Sequence, residues 1–339
     1  MNLERAARAL IAAVSMLAIA SCSHGNSSAT KLPETAGKIS TFVLPAQKNA
    51  DAAEGWPGDI AAGPDAALWF TELHGGRIGR IAISPLGRIT EYAVPKRSVD
   101  PKPGSIALGP DGALWFTVPN LNEIGRITTA GHVTEYSAGF NSRPVDIVAG
   151  SDGALWFTQP AAQQIGRITT SGKVTHYRVP TAKAFPQDIA LGPDGALWFT
   201  ERVGKIGRVS RSGQITEFPI HTSQKSAPFD IAAGSDHALW FTEPDSRKIG
   251  RITTAGHITE YAVPRGYPTA ITAGPDGALW FTSILPSSVS RITTAGTVVQ
   301  FRLATNFDKP GGIAAGPDGA LWFTVYTANT IARIAPPQM

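Results

Sequence analysis

The chain has 339 residues, a formal charge of +4 from 30 Lys and Arg against 26 Asp and Glu, and only 17% charged residues beside 42% hydrophobic ones. That composition excludes general disorder, and so slight a charge excludes recognition of nucleic acid through a basic stripe. The 35 Gly and 26 Pro exceed average usage by about half, which implies many short elements joined by turns.

Residues 1–21 read as an export signal: Arg5 and Arg8 precede an apolar run from Ala9 to Ala20, and small residues follow. The run is too short to span a bilayer. It ends Ile19-Ala20-Ser21-Cys22, a pattern similar to the bacterial lipobox. Cys22 is the sole cysteine, so it cannot form an internal disulfide, and lipidation gives it a role. The expectation is an exported protein, lipid-anchored in the bacterial cell envelope (outer membrane or periplasm in a Gram-negative cell) and touching the membrane only through that anchor. Residues 22–36 are mostly small and polar, which suits a flexible tether.

Residues 37–339 carry the tripeptide Leu-Trp-Phe seven times, with Trp69, Trp115, Trp156, Trp198, Trp240, Trp280 and Trp322 spaced 40 to 46 residues apart. Only Trp56 falls outside the series. Each repeat holds four strand-like pieces, in the fourth repeat Asp188–Leu191, Ala196–Glu201, Lys205–Ser210 and Gln214–Ile220. Gly192-Pro193-Asp194-Gly195 supplies a tight turn between the first two, and Ser-Gly or Ala-Gly joins the last two. Four antiparallel strands per unit define a propeller blade, so the fold class is all-β, a seven-bladed β-propeller expected to be a monomer. The last repeat stops after three strands, and Gly37–Pro45 has the pattern of a missing fourth. An N-terminal strand that completes the last blade closes the ring and removes a free sheet edge. Alternation puts the Trp and Phe on opposite faces of their strand. The Arg of each Ile-Gly-Arg is expected to pair with a carboxylate or carbonyl of a neighbouring blade.

Each blade enters its innermost strand through Pro-x-x-Ile, with variable pairs Gly58-Asp59, Gly104-Ser105, Val145-Asp146, Gln187-Asp188, Phe229-Asp230, Thr269-Ala270 and Gly311-Gly312. Asp59, Asp146, Asp188 and Asp230, with Gln187 and Phe229, are therefore candidate ligand-binding residues at the channel mouth or the seam behind it. Converging carboxylates suit a hard cation such as Mg²⁺ or Ca²⁺. The competing reading is that each Asp accepts backbone N–H groups at its own loop. Glu72, Glu201 and Glu243, each following Trp-Phe-Thr, pose the same choice as candidate metal ligands. His74 and His221 are the histidines in loops on that side of the propeller. No phosphate loop, His-Glu-x-x-His or Gly-x-Ser-x-Gly turn occurs.

The repeat Gly-Pro-Asp-Gly-Ala-Leu-Trp-Phe-Thr-Glu, followed by Lys-Ile-Gly-Arg-Ile-Thr-Thr-Ala-Gly-His-Ile-Thr-Glu-Tyr, resembles the virginiamycin B lyase (streptogramin B lyase) family over about 300 residues. The resemblance implies a seven-bladed propeller that linearises a cyclic depsipeptide by elimination at its ester bond. It also implies Mg²⁺ held by glutamates and a His acting as general base. At the family's positions this chain differs. Glu-Pro-His-Gly-Ile is Lys309-Pro310-Gly311-Gly312-Ile313, and the second Glu ligand is Tyr326. Pro-His-Ala-Ile is Pro268-Thr269-Ala270-Ile271, and Pro-Tyr-Gly-Ile is Pro57-Gly58-Asp59-Ile60. The expectation is therefore a scaffold without the family's catalytic set, binding a small molecule, glycan, peptide or envelope protein at the mouth. The alternative is a metal-dependent lyase or hydrolase that uses the relocated Asp and Glu residues, and Mg²⁺ or Ca²⁺ enters only there.

Overall fold

The computed structural model describes residues 39–45, 55–84, 86–96, 99–221, 226–305 and 308–337. The export signal at 1–21, Cys22 and the tether at 22–36 lie outside them. Within them the chain forms seven four-stranded antiparallel sheets, each from four strands consecutive in sequence except the last. That blade takes its innermost three strands from Pro310–Ala315, Leu321–Val325 and Thr330–Ile334 and its outermost from Ile39–Val43. Ile39 pairs with Ile334 and Val43 with Thr330, so the ring closes as the repeat pattern predicts. The innermost strands contact one another in sequence and the seventh contacts the first, which makes them the wall of a central channel.

Seven buried apolar clusters occupy the seven seams between blades. In the seam between blades four and five, Trp198 packs with Leu239 and Phe241. Between the last blade and the first, Trp322 packs with Leu68, Phe70 and Leu44. Each Trp thus faces the following blade and each Phe the preceding one, as strand alternation requires. The glycine of Ile-Gly-Arg makes room for the Phe ring: a Cβ on Gly207 would lie 2.0 Å from Phe199 Cζ. The hairpin glycine has two reasons to be glycine. Gly213 sits at φ 84, and a Cβ there would meet the Tyr177 ring of the preceding blade at 2.0 Å. In the closing strand Phe42 takes the equivalent place, stacked on Trp322 with centroids 5.4 Å apart and beneath Gly87 of blade one.

The turn aspartate is the hub of each blade. Asp65, Asp111, Asp152, Asp194, Asp236, Asp276 and Asp318 each accept the indole N–H of their own Trp at 3.0–3.1 Å. The second oxygen of each accepts the guanidinium of Arg80, Arg126, Arg167, Arg208, Arg251, Arg291 or Arg333 at 2.6–2.7 Å. This corrects the expectation of an inter-blade ion pair. Arg and turn lie on adjacent strands of one blade, so the partner is local. Burial raises the pKa of these carboxyls, but the donated hydrogen bonds outweigh it and hold them below the usual value.

Candidate functional site

Behind the channel wall, the buried Thr of Leu-Trp-Phe-Thr ties each innermost strand to the next. In every blade its hydroxyl donates to the carbonyl of the first variable Pro-x-x-Ile residue of the next blade at 2.7–3.0 Å, and Thr324 to Gly58 closes the circle. In the first six blades the same oxygen accepts the backbone N–H of its own blade's second variable residue. Gln187 and Phe229 join this circle through their backbone carbonyls.

The four candidate aspartates stand next to that circle and bridge seams. Asp59 accepts the N–H of Ile106 at 2.9 Å, Asp146 that of Ile189 at 2.9 Å, and Asp188 that of Ile231 at 2.7 Å. Asp230 accepts from Ile271, and the Ser105 hydroxyl, at the Asp position of blade two, donates to Asp146. The own-loop reading holds only for Asp59, which also accepts from Ile60 at 2.8 Å; the dominant partner is the following blade. All four are half-buried, and the interaction of Asp59 with Asp146 and Asp230 shows that they converge on the axis. Burial pushes their carboxyls up, and mutual repulsion adds to it. Asp59 rises to about 6 and Asp230 to about 8, and Asp146 and Asp188 lie well above the ordinary range.

Glu72, Glu201 and Glu243 are not part of that ring. Each is fully buried at the end of its strand, against a second glutamate of its own blade: Glu91, Glu217 or Glu260. Those outer glutamates pair with Arg77, Lys205 and Lys248 at 3.1–3.2 Å. Neither oxygen of Glu72 or Glu201 accepts a hydrogen bond. A proton on the inner glutamate turns the carboxylate repulsion into an O–H···O hydrogen bond. Accordingly burial, with the neighbouring glutamate adding to it, pushes Glu72 and Glu201 to about 8; Glu243, also bonded by Ser226, rises to about 7. Blade three replaces the acid pair with Gln159 and His176, whose Oε1 and Nδ1 are 2.9 Å apart. Among the described residues no group of three or more His, Cys, Asp or Glu is arranged to hold a metal ion.

The connections between blades and the second-to-third-strand loops gather at one end of the channel, the mouth. Of nine exposed large hydrophobic residues described, only Leu86 and Leu108 lie at the opposite end. The residue before each Pro-x-x-Ile is the main contributor that sequence reasoning missed. Trp56, Arg143 and Phe185 hold this place in the left-handed region, at φ 49, 43 and 49, where a bulky side chain costs about 1–3 kcal/mol. Trp56 lies edge-on to His74, with centroids 4.3 Å apart, and 6.2 Å from Tyr326. The available signal was that Trp56 alone stands outside the Leu-Trp-Phe series.

The positions that the resemblance singled out are Lys309, Gly311, Tyr326, Thr269 and Gly58, of which Tyr326 belongs to this aromatic group. Tyr326 donates its N–H to the Lys309 carbonyl at 3.2 Å, and burial pushes its phenol up to about 12. The Thr269 hydroxyl is engaged by Thr282 at 2.8 Å. A Cβ on Gly311 would lie 2.6 Å from Thr324 Oγ1, and one on Gly58 2.9 Å from Thr71 Oγ1, so side chains at both places press on the threonine circle.

A closed seven-bladed propeller with a uniform channel wall and one variable, aromatic mouth is the class this fold and site define. The virginiamycin B lyase family matches residues 16–225 and 204–338, and the chain belongs to that family. It is similar to a solved streptogramin B lyase at 36% identity and a TM-score of 0.80, covering 87% of this chain and 96% of that one. It is also similar to virginiamycin B lyase from Staphylococcus aureus at 36% identity and a TM-score of 0.81, covering 88% and 99%. A catalytically inactive histidine-to-alanine variant of the staphylococcal enzyme, solved with quinupristin, matches at 36% identity and a TM-score of 0.80, over 88% and 99%. No curated protein matches the chain.

Proposed function

We propose that this family member binds a ligand at the propeller mouth, is held at the cell envelope by a lipid on Cys22, and does not carry out the family's elimination. The observation that carries the reading is the chemistry at Lys309, Gly311 and Tyr326, where the resemblance places two metal-binding glutamates and the base. Mg²⁺ needs oxygen donors. An ammonium at Lys309 repels it, and a phenol titrating at about 12 stays protonated at neutral pH. Gly311 offers no base, and the Thr269 hydroxyl is taken by Thr282. This donor set does not fit Mg²⁺, and no step is routed through it.

The test is incubation of the full-length protein with quinupristin and Mg²⁺, read by mass spectrometry. The intact ring is expected, and Mg²⁺-dependent ring opening would sink the reading. One observation favours a second reading, hydrolysis or elimination by the axial carboxylates: Asp59 titrates near neutrality at about 6. In that case Asp59→Asn abolishes whatever turnover is found. The anchor is tested separately, because Cys22→Ala should release the protein from the membrane fraction.

A further inference from the structure

We infer that the mouth at the seam between the last and first blades takes an anionic ligand with a flat, apolar body. This rests on the mouth-binding reading above and names the chemistry of the ligand. Although the net charge of the whole chain is only +4, unpaired cations outnumber described carboxylates at the mouth. At the turn end seven arginines are matched one to one by seven aspartates. Along the blade flanks Arg77, Lys205 and Lys248 are matched by glutamates. Of the described cations left without an ion pair, Arg88, Lys173 and Arg211 lie in or beside the turns at the other end, and a larger group lies at the mouth. Among the described residues Arg143, Lys183, Arg202, Arg247, Arg265 and Lys309 all lie in mouth loops, and none forms an ion pair. The described carboxylates there are fewer: Asp245, Asp308 and Asp100, the last paired with Lys96 at 2.7 Å.

The apolar part of the ligand has its own seat. Trp56 is 38% exposed and, with His74 and Tyr326, forms an aromatic group joined to Lys309 through the Tyr326 backbone. A flat ring placed there is stacked by Trp56 while its acid group meets the Lys309 ammonium, a charge-assisted contact stronger than a neutral one. The left-handed backbone at Trp56 is the kind of local strain that persists where the surroundings enforce it, and such strain clusters at binding sites.

The test compares two isosteric probes on the full-length chain, 2-naphthoate and the neutral 2-naphthamide, by calorimetric titration. Naphthoate should bind about tenfold tighter, the factor expected of one charge-assisted contact. Lys309→Gln should remove most of that preference while leaving naphthamide affinity unchanged, and Trp56→Ala should weaken both probes. Circular dichroism of both variants should match the parent. Equal affinity for the two probes, with Lys309→Gln silent, overturns the anionic assignment and leaves mouth binding standing. Binding of neither probe overturns both.

Discussion

The turn end and the mouth of the propeller grow from the same repeat and follow opposite rules. At the turn end every blade repeats one solution, an aspartate that holds its own Trp and Arg. At the mouth the residue before Pro-x-x-Ile is Trp56, Lys102, Arg143, Phe185, Ala227, Tyr267 or Lys309, with no two adjacent blades alike. The difference shows what repetition constrains. A side chain that fills a seam must fit its neighbour, so it is the same in each blade. One that stands beyond the strand ends meets solvent or ligand and is free to vary.

The strongest challenge to this contrast is removal of residues 37–45. It strips Phe42 and Leu44 from the last seam and bares a sheet edge, so a loss above ~5 kcal/mol is expected from the two side chains together. Thermal unfolding should shift down by ten degrees or more (~2–4 °C per kcal/mol), and an unchanged transition would show that the seam does not need its closing strand. Next comes a matched pair of tryptophans. Trp198→Ala should cost about 3–5 kcal/mol in urea unfolding through the cavity it leaves. Trp56→Ala should stay within about 0.5 kcal/mol of the parent while it weakens mouth binding. Similar costs for both would erase the distinction between the two ends.

The smallest effect is read by pH. A glutamate ordinarily titrates near 4.5, whereas burial and Glu217 raise Glu201 to about 8 in the folded protein. Between these values the folded state keeps a proton that the unfolded chain has released, so stability falls as pH rises from about 4.5 to about 8 and then levels. Glu72 and Glu243 add to the same slope, as do the axial aspartates. Glu201→Gln should flatten it, so that the variant gains on the parent as pH rises from 5 to 9. An identical pH profile would mean that the inner glutamate is ionised in the fold. Blade three carries the neutral arrangement already, in Gln159 and His176.

The fold was legible because its determinants recur: the Leu-Trp-Phe period announced the blades, and the orphan strand at Gly37–Pro45 announced the closure. The pairing of Arg80 with Asp65 was misassigned to a neighbouring blade because one repeat does not reveal which partner is nearer until the strands are in register. The repeated Pro-x-x-Ile entry singled out Asp59, Asp146, Asp188 and Asp230, but their acceptance of N–H groups from the next blade depends on blade-to-blade geometry that linear spacing does not encode. The glutamate pairs were half visible. Glu72, Glu201 and Glu243 stood out, but Glu91, Glu217 and Glu260 looked like ordinary surface residues of Ile-Thr-Glu. The coincidence of both with Arg77, Lys205 or Lys248 in the same three blades was the clue. The mouth was least legible, since Trp56, Tyr326 and Lys309 meet only when the first and last blades do.

Because Ile39 pairs in register with Ile334, one of the first strands to be synthesised cannot be satisfied until the strand Thr330–Ile334 exists. A chain truncated anywhere before Thr330 has no partner for it, and its first and last blades stay open together. The aromatic group of Trp56, His74 and Tyr326 spans that same join, so it is assembled only with the finished ring. The binding proposed for the mouth would therefore report that synthesis and folding have both reached completion.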